Sequence, residues 1–392
     1  MTRASLKTRA KLDSSIWRTL KQLQHLHYLK LDVTMMNLRG IEGLERLEEL
    51  ELTCKASDLT PIGRLPHLRT LVLDKCFNLL DLEPIAFMSL ESLKISNCHG
   101  LTTLNDIRLM TTLKELIING NNRILDTEFL KYLVHLKTLD LKDSNKLVLI
   151  DGMSDYLELE YLDISGSLVR GVKSIPQTIK ILRMERCENL YSFRCISNVT
   201  QLDVCKCIGM RTLDLAIASE LRTLDCSGSY SLSAIPGIQL AVNLFRLDLS
   251  GTAIPELDLV WLEKLSVLKI IDCIELTRLN LPSSLEELAI DGCTRLQDFN
   301  SIANTKLKTL SVSNTHITNL DFIRGLDIKS IVAMNCLGLC HVDLFDADLD
   351  FVNFRLCLNL LTVDGFKNLK TIDVTHCPLN IQGLRDSRVE LI

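Results

Sequence analysis

The chain has 392 residues, 47% of them hydrophobic but only 5% aromatic, so it can bury a large core made almost wholly of aliphatic side chains. Its formal net charge of −5 argues against sequence-independent nucleic-acid binding, which needs a large basic footprint. No apolar run reaches the roughly 18 residues that a membrane-spanning helix requires.

Residues 1–25 precede any repeat. Arg3, Lys7, Arg9 and Lys11 come before the first acid, Asp13, and no apolar stretch of a secretory signal is present. A cytoplasmic location is the expectation, with a mitochondrial one as the alternative that the basic start keeps open. Ser14 and Ser15 are N-cap candidates, and Ile16, Trp17, Leu20 and Leu23 follow at helical spacing. This predicts a short helix capping the first coil, with residues 26–392 forming one repeat domain whose last residues close the other end.

From Leu26 onward one nine-residue phrase recurs. Leu285-Glu-Glu-Leu-Ala-Ile-Asp-Gly-Cys293 shows it: apolar residues at positions one, four and six, and a small polar residue or Cys at nine. Seventeen such phrases start between Leu26 and Leu369, 20 to 23 residues apart. Position nine is Cys in nine of them, Ser, Thr or Asn in seven, and Lys55 in the second. The phrase fits a short parallel strand whose positions four and six enter the core while three, five and seven meet solvent. Position nine turns inward, where its donor can satisfy carbonyls of the bend. One coil cannot bury its own apolar face, so the coils must stack. Apolar residues also recur about three and six places after position nine, as in Cys187, Leu190 and Phe193 or Cys273, Leu276 and Leu279. So short a coil predicts extended segments and 3₁₀ turns there.

The phrase identifies the chain as a member of the leucine-rich-repeat superfamily. Its Cys-x-x-Leu-x-x-Leu continuation is similar to the repeat arrays of plant nucleotide-binding immune receptors and to the repeat-only proteins of kinetoplastid parasites. With no nucleotide-binding module in the sequence, the second is the nearer expectation. The fold class implied is α/β: a right-handed horseshoe solenoid of about 17 coils, with a parallel concave sheet and a mostly extended or 3₁₀ convex side.

Coils one to five carry charged solvent faces, and the long segment after Asn121 leaves room for a helix at Asp126–Tyr132. In coils six to eleven, position five reads Asp140, Asp163, Arg183, Asp203, Asp225 and Asp248. These side chains are expected side by side on the concave face, about 5 Å apart, where like charges repel. Tyr161, Glu185, Cys205 and Arg246 share that face and complete the candidate contact set. Two readings stand: a groove for a basic or mixed-charge partner, or the ordinary strand chemistry of the family, as Asp373 also shows. Farther on, Val267, Ile271, Val332, Met334 and Phe351 form a more apolar second candidate patch. Val389 and Leu391 are placed to add a last strand, leaving the final edge covered either by the chain or by a partner.

There are 14 Cys, and nine on one internal ladder do not read as a disulfide scaffold; reduced thiols in a reducing compartment are expected. Paired Cys-x-x-Cys metal ligands, HExxH, GxSxG and phosphate-cradling glycine loops are all missing from the sequence. The expectation is a non-catalytic protein-interaction scaffold without metal or cofactor. It would bind a protein partner through the concave face, with no nucleic acid and no membrane. The alternatives are a recognition or regulatory subunit of a ubiquitin ligase or phosphatase, or a structural component of a larger complex.

Overall fold

A computed structural model describes residues 2–8, 15–23, 25–34, 37–120, 124–150, 158–172, 175–345, 347–379 and 389–392. Within them the chain is a parallel-sheet solenoid of about 17 coils with few helices. It divides into two compact units, Met1–Leu190 and Tyr191–Ile392.

In the first unit the strands Leu26–Val33, Glu49–Thr53, Thr70–Asp74, Ser92–Ser96, Glu115–Asn119, Thr138–Asp140, Tyr161–Asp163 and Ile181–Arg183 pair in parallel. The pairing sets Leu29, Leu50, Leu71, Leu93, Leu116, Leu139, Leu162 and Leu182 opposite one another, all buried. This row is phrase position four, and the one-residue precision follows from a side-chain period of two: any slip would turn every leucine to solvent. Ahead of the row, Thr2–Thr8 pairs in parallel with Leu26–Val33, placing Leu6 beside Leu31. The one α-helix among the described residues, Ser15–Lys21, buries Trp17 and Leu20. Ser14 lies outside the described residues, as do Asn121–Arg123.

In the second unit the same row runs Leu202, Leu224, Leu247, Leu268, Leu288, Leu310, Ile331, Val352 and Ile372. Glu390–Leu391 adds a final parallel strand against Thr371 and Ile372. The far side of the coils carries three short parallel pairs: 192–194 with 212–214, 256–258 with 278–280, and 341–343 with 362–364. Their central residues Phe193, Leu213, Leu257, Leu279, Val342 and Val363 are the buried apolar positions that follow the ladder residue. Elsewhere the far side turns through 3₁₀ segments such as Ile238–Leu240 and Asp321–Ile323. In the first unit, Glu128–Tyr132 is also 3₁₀ rather than α-helical.

The corner after each strand is built the same way from the third coil to the seventeenth. Phrase position eight is left-handed throughout, as at Asn97, Asp143, Gly166, Lys206, Gly228, Gly251, Asp272, Asn314 and Leu356. Ten of these fifteen positions are Gly, Asn or Asp, the residues that enter this conformation most readily. The turned residue bonds forward: Lys206 N–H donates to the Ser227 carbonyl at 2.7 Å, and Asp272 N–H to that of Asp291 at 2.7 Å.

Position nine then faces the core. In many coils its thiol or hydroxyl donates to the position-six carbonyl of the preceding coil, whereas the buried Ser144 hydroxyl has no partner among the described residues. The distances are 3.0 Å for Cys273 to Leu249, 2.8 Å for Cys293 to Ile270, 3.0 Å for Cys357 to Ala333 and 2.8 Å for Ser229 to Val204. Burial pushes the Cys357 thiol up to about 12, which keeps its proton available to donate. The second coil departs from the pattern. Cys54, not Lys55, is the buried residue there, and Lys55 is exposed. That coil reaches its ladder one residue early, so it turns without a left-handed residue.

Leu356 is the awkward member of the corner row. It is a γ-branched side chain at φ 65°, 37% exposed, where a left-handed residue other than Gly or Asn costs about 1–2 kcal/mol. Leu356→Asn is therefore expected to raise stability by about 0.5–1 kcal/mol, read as an increased urea midpoint at unchanged slope. A lower midpoint would show that the exposed leucine contributes more by packing than the backbone loses.

Candidate binding face

In each unit the strand residues at positions three, five and seven project away from the leucine row. In the first unit, register places Asp140, Asp163 and Arg183 side by side, and in the second Asp203, Asp225, Asp248 and Lys269. Arg183 and Arg246 are exposed; Asp140, Tyr161, Glu185, Asp203, Cys205, Asp225 and Asp248 are half-buried. Asp163 is only 3% exposed.

The carboxylates work on their own backbone. Each accepts, through Oδ1, the N–H two residues on. The distances are 2.9 Å for Asp140 and Lys142, 2.9 Å for Asp163 and Ser165, and 3.0 Å for Asp203 and Cys205. Asp225 takes Ser227 at 2.8 Å and Asp248 takes Ser250 at 3.0 Å. Asn353 and Asp373 do the same for Arg355 and Thr375, both at 2.9 Å. These are Asx turns, and they withdraw the position-seven N–H from the ladder just where the strand ends.

In four coils without such a side chain at position five, those of Arg183, Lys269, Ser311 and Val332, the preceding coil supplies the acceptor. Ser165 Oγ takes the Glu185 N–H at 3.1 Å, and Ser250 Oγ takes that of Ile271 at 3.1 Å. Asp291 Oδ1 takes the Ser313 N–H at 2.6 Å, and Ser313 Oγ that of Met334 at 3.2 Å. The first five coils carry Lys30, Glu51, Val72, Lys94 and Ile117 at position five, and their strands continue through position seven.

Above the bends lie the side chains with heads in solvent. The Arg183 guanidinium stands 5.7 Å over the Tyr161 ring, and the Tyr161 hydroxyl donates to Asp163 Oδ2 at 3.4 Å. Arg186 bridges Asp143 at 3.0 Å and Glu185 at 3.5 Å. Burial holds the Asp140 carboxyl above the usual aspartate range, against the Lys142 N–H, and the Asp163 charge adds to the rise. Burial likewise raises the Tyr161 hydroxyl, with Asp163 adding to it.

Cys205 projects on this face, and Cys226 points the other way into the core, where burial and then the neighbouring Asp225 push its thiol well up. No group of three His, Cys, Asp or Glu among the described residues is arranged to hold a metal ion. Of the second candidate patch, Val267 is buried, and Ile271, Val332, Met334 and Phe351 are half-buried.

Attention to the strands misses the edge by which the chain enters them. In the first unit a cleft of about 400 Å³ opens there, lined by His67, Arg69, Glu91, Lys114 and His135 among others. Glu91 pairs with Arg69 and, at 2.7 Å, with Lys114. The signal was available at position two of the phrase, where Glu48, Arg69, Glu91 and Lys114 alternate in charge on successive coils.

Two outcomes follow for the carboxylates. Asp225→Ala strands the Ser227 N–H and should cost about 1 kcal/mol, whereas Asp225→Asn keeps the acceptor and most of the stability. Equal losses in urea unfolding would show that charge, not the turn, is what Asp225 supplies. For Asp140 the folded state holds the proton more tightly than the unfolded chain. Its contribution is thus full below the unfolded pKa and lost as pH rises through the folded one. Asp140→Asn should therefore flatten the stability-against-pH curve just above the ordinary aspartate range and match or exceed wild type at neutral pH. An unchanged pH profile would remove Asp140 as its source.

No family model matches the sequence. A probable disease resistance protein of Arabidopsis thaliana is 30% identical over 175 residues, 41% of this chain and 10% of that protein. Other matches are also disease resistance proteins of that plant, and the chain spans no more than 19% of their length. Among solved structures, a TLR13–ssRNA13 complex superposes with a TM-score of 0.62 at 17% identity, covering 95% of this chain and 65% of that one. A leucine-rich-repeat protein of Leptospira interrogans superposes with a TM-score of 0.56 at 17% identity, covering 99% of this chain and 100% of that one. The sequence matches fall in the plant group of the two that the repeat phrase resembles. By its recurring phrase, its stacked coils and its structural neighbours, the chain has the leucine-rich-repeat fold.

Proposed function

We propose that the chain is a non-catalytic scaffold that binds a protein partner on the outward strand face. The observation that supports this most is the division of labour on that face. The Asp row and its Ser substitutes satisfy the bends, and the recognisable chemistry above them is carried by Tyr161, Arg183 and Glu185 in the first unit and, on the same face of the second, by Arg246. A planar guanidinium over an aromatic ring is a common hot-spot pairing in protein interfaces. Single-stranded RNA, the companion of TLR13 in its complex, is the poorer fit. A net charge of −5 and carboxylates at position five repel phosphates.

Catalysis has little to work with on an open sheet face, which excludes no water from a reacting group. The ladder thiols turn into the core and donate to backbone carbonyls, as Cys273 and Cys357 do. Thiols serving as hydrogen-bond donors also suit a reducing compartment, and we infer a cytoplasmic site of action. No helix among the described residues is long and apolar enough to cross a membrane.

The test is capture from native lysate by wild type and by a Tyr161→Ala/Arg183→Glu/Arg246→Glu variant, which leaves every Asx turn intact. Circular dichroism first checks that the variant is folded. Loss of a captured protein, with affinity reduced at least about a hundredfold over the three changes, is the expected result. Equal capture by both would remove the strand face as the contact surface.

A further inference from the structure

The edge that leads into the strands carries ion pairs along much of the repeat array. In the first unit, Lys180 meets Glu160 at 3.0 Å; in the second, Lys308 meets Glu286 at 3.2 Å and Lys329 meets Asp348 at 2.8 Å. In the coils of the second unit whose phrases begin at Leu221, Leu244 and Leu265, exposed apolar side chains cluster on this edge; in the first unit Leu109 and Tyr132 hold a matching place beside edge ion pairs.

Ile217, Leu240 and Trp261 each stand four residues before phrase position one. The residue after each (Ala218, Ala241 and Leu262) is buried and donates its N–H three residues back, to Leu215, Ile238 and Leu259. The three side chains thus occupy the same place on successive coils. Val242, Phe245 and Val260 flank them, and all six are between 42% and 66% exposed, Trp261 the most. The amide of Asn243 ties the coils together below them, donating to the Ser219 carbonyl at 2.9 Å and accepting from Lys264 Nζ at 2.6 Å. Scattered apolar side chains need no explanation, but six on one edge of three consecutive coils make a patch of the kind that marks an interface.

The charges around the patch indicate what covers it. Glu220 and Lys264 lie in one row, each a single residue before position one, on the two outer coils. We propose that this edge is the interface between two copies of the chain, related by a two-fold axis lying across the coil of Leu240–Phe245. That operation sets the outer coils against each other. Ile217 faces Trp261 of the second copy, Phe245 meets its own counterpart, and Glu220 faces Lys264 of the second copy, twice by symmetry. An isologous contact requires such self-complementarity, and a row with one sign of charge at both ends would repel its copy. Tyr161, Arg183 and Glu185 belong to other coils, so the inference does not rest on the function proposed above.

Sedimentation velocity on the full chain across concentrations up to about 0.1 mM tests it. Wild type is expected to be dimeric. Glu220→Lys and Lys264→Glu should each weaken the dimer at least about tenfold, because each puts like charges opposite one another twice. The double variant Glu220→Lys/Lys264→Glu should restore it, an outcome that neither misfolding nor a different partner produces. Trp261→Ala should dissociate it without any change in charge. A wild type that stays monomeric, a single reversal that leaves the dimer intact, or a double variant that fails to recover would each overturn the proposal.

Discussion

Each coil must turn a corner within three residues while its backbone enters the core, and the rest of the structure depends on how that corner satisfies its hydrogen bonds. Three devices do so together. A left-handed residue at position eight redirects the chain, a side-chain acceptor captures the position-seven N–H, and an inward donor at nine reaches the carbonyl of the preceding coil. An unpaired buried N–H or carbonyl costs about 1–3 kcal/mol, so a defect repeated along the array would exceed the stability of an ordinary domain. Cys serves at nine because a small thiol fills the core as an apolar group and still donates. At Thr252 and Thr315 the hydroxyl bonds within its own coil instead, at 2.8 and 2.6 Å, and the next thiol approaches the hydroxyl.

This constraint alters what the acidic row means. Side by side on a solvent face, repeated aspartates look like a surface tuned for a basic ligand. Their Oδ1 atoms instead hold the bends, and the same Asx geometry recurs at Asp214 on the far side of the second unit, where no groove was expected. Asp163, nearly buried, holds the bend through Oδ1 and the Tyr161 hydroxyl through Oδ2. The proposed contact rests on the side chains that neither the core nor the corner requires, and Arg183 over Tyr161 is the clearest of them.

How far the sequence could be read follows from the same division. The position-four leucines, the ladder and the far-side extended segments were legible because each repeats at a fixed place for a reason internal to one coil. Cys54 was misplaced by one residue because a shorter bend satisfies the same core demand with a different count. The acceptors at Ser165, Ser250 and Ser313 were not legible in a single phrase, since each serves the coil after its own. Read in pairs of phrases from the sixth coil on, a rule is visible in all coils but that of Leu285: an Asp or Asn at position five, or a Ser or Asp at position seven one coil earlier.

The apolar edge escaped for a different reason. Ile217, Leu240 and Trp261 precede the phrase rather than lying in it, and the loops before the phrase vary enough to hide their alignment. Their position matters because a coil has few surfaces that carry no structural duty. The strand face is partly committed to the bends, and the far side is committed to the short parallel pairs and 3₁₀ turns. The entry edge is bound only by main-chain hydrogen bonds and exposed ion pairs, which individually stabilise by at most about 1 kcal/mol. Replacing such pairs with apolar side chains therefore costs the fold little. An array built this way can acquire a contact surface on that edge while its core, its ladder and its strand register remain as they are.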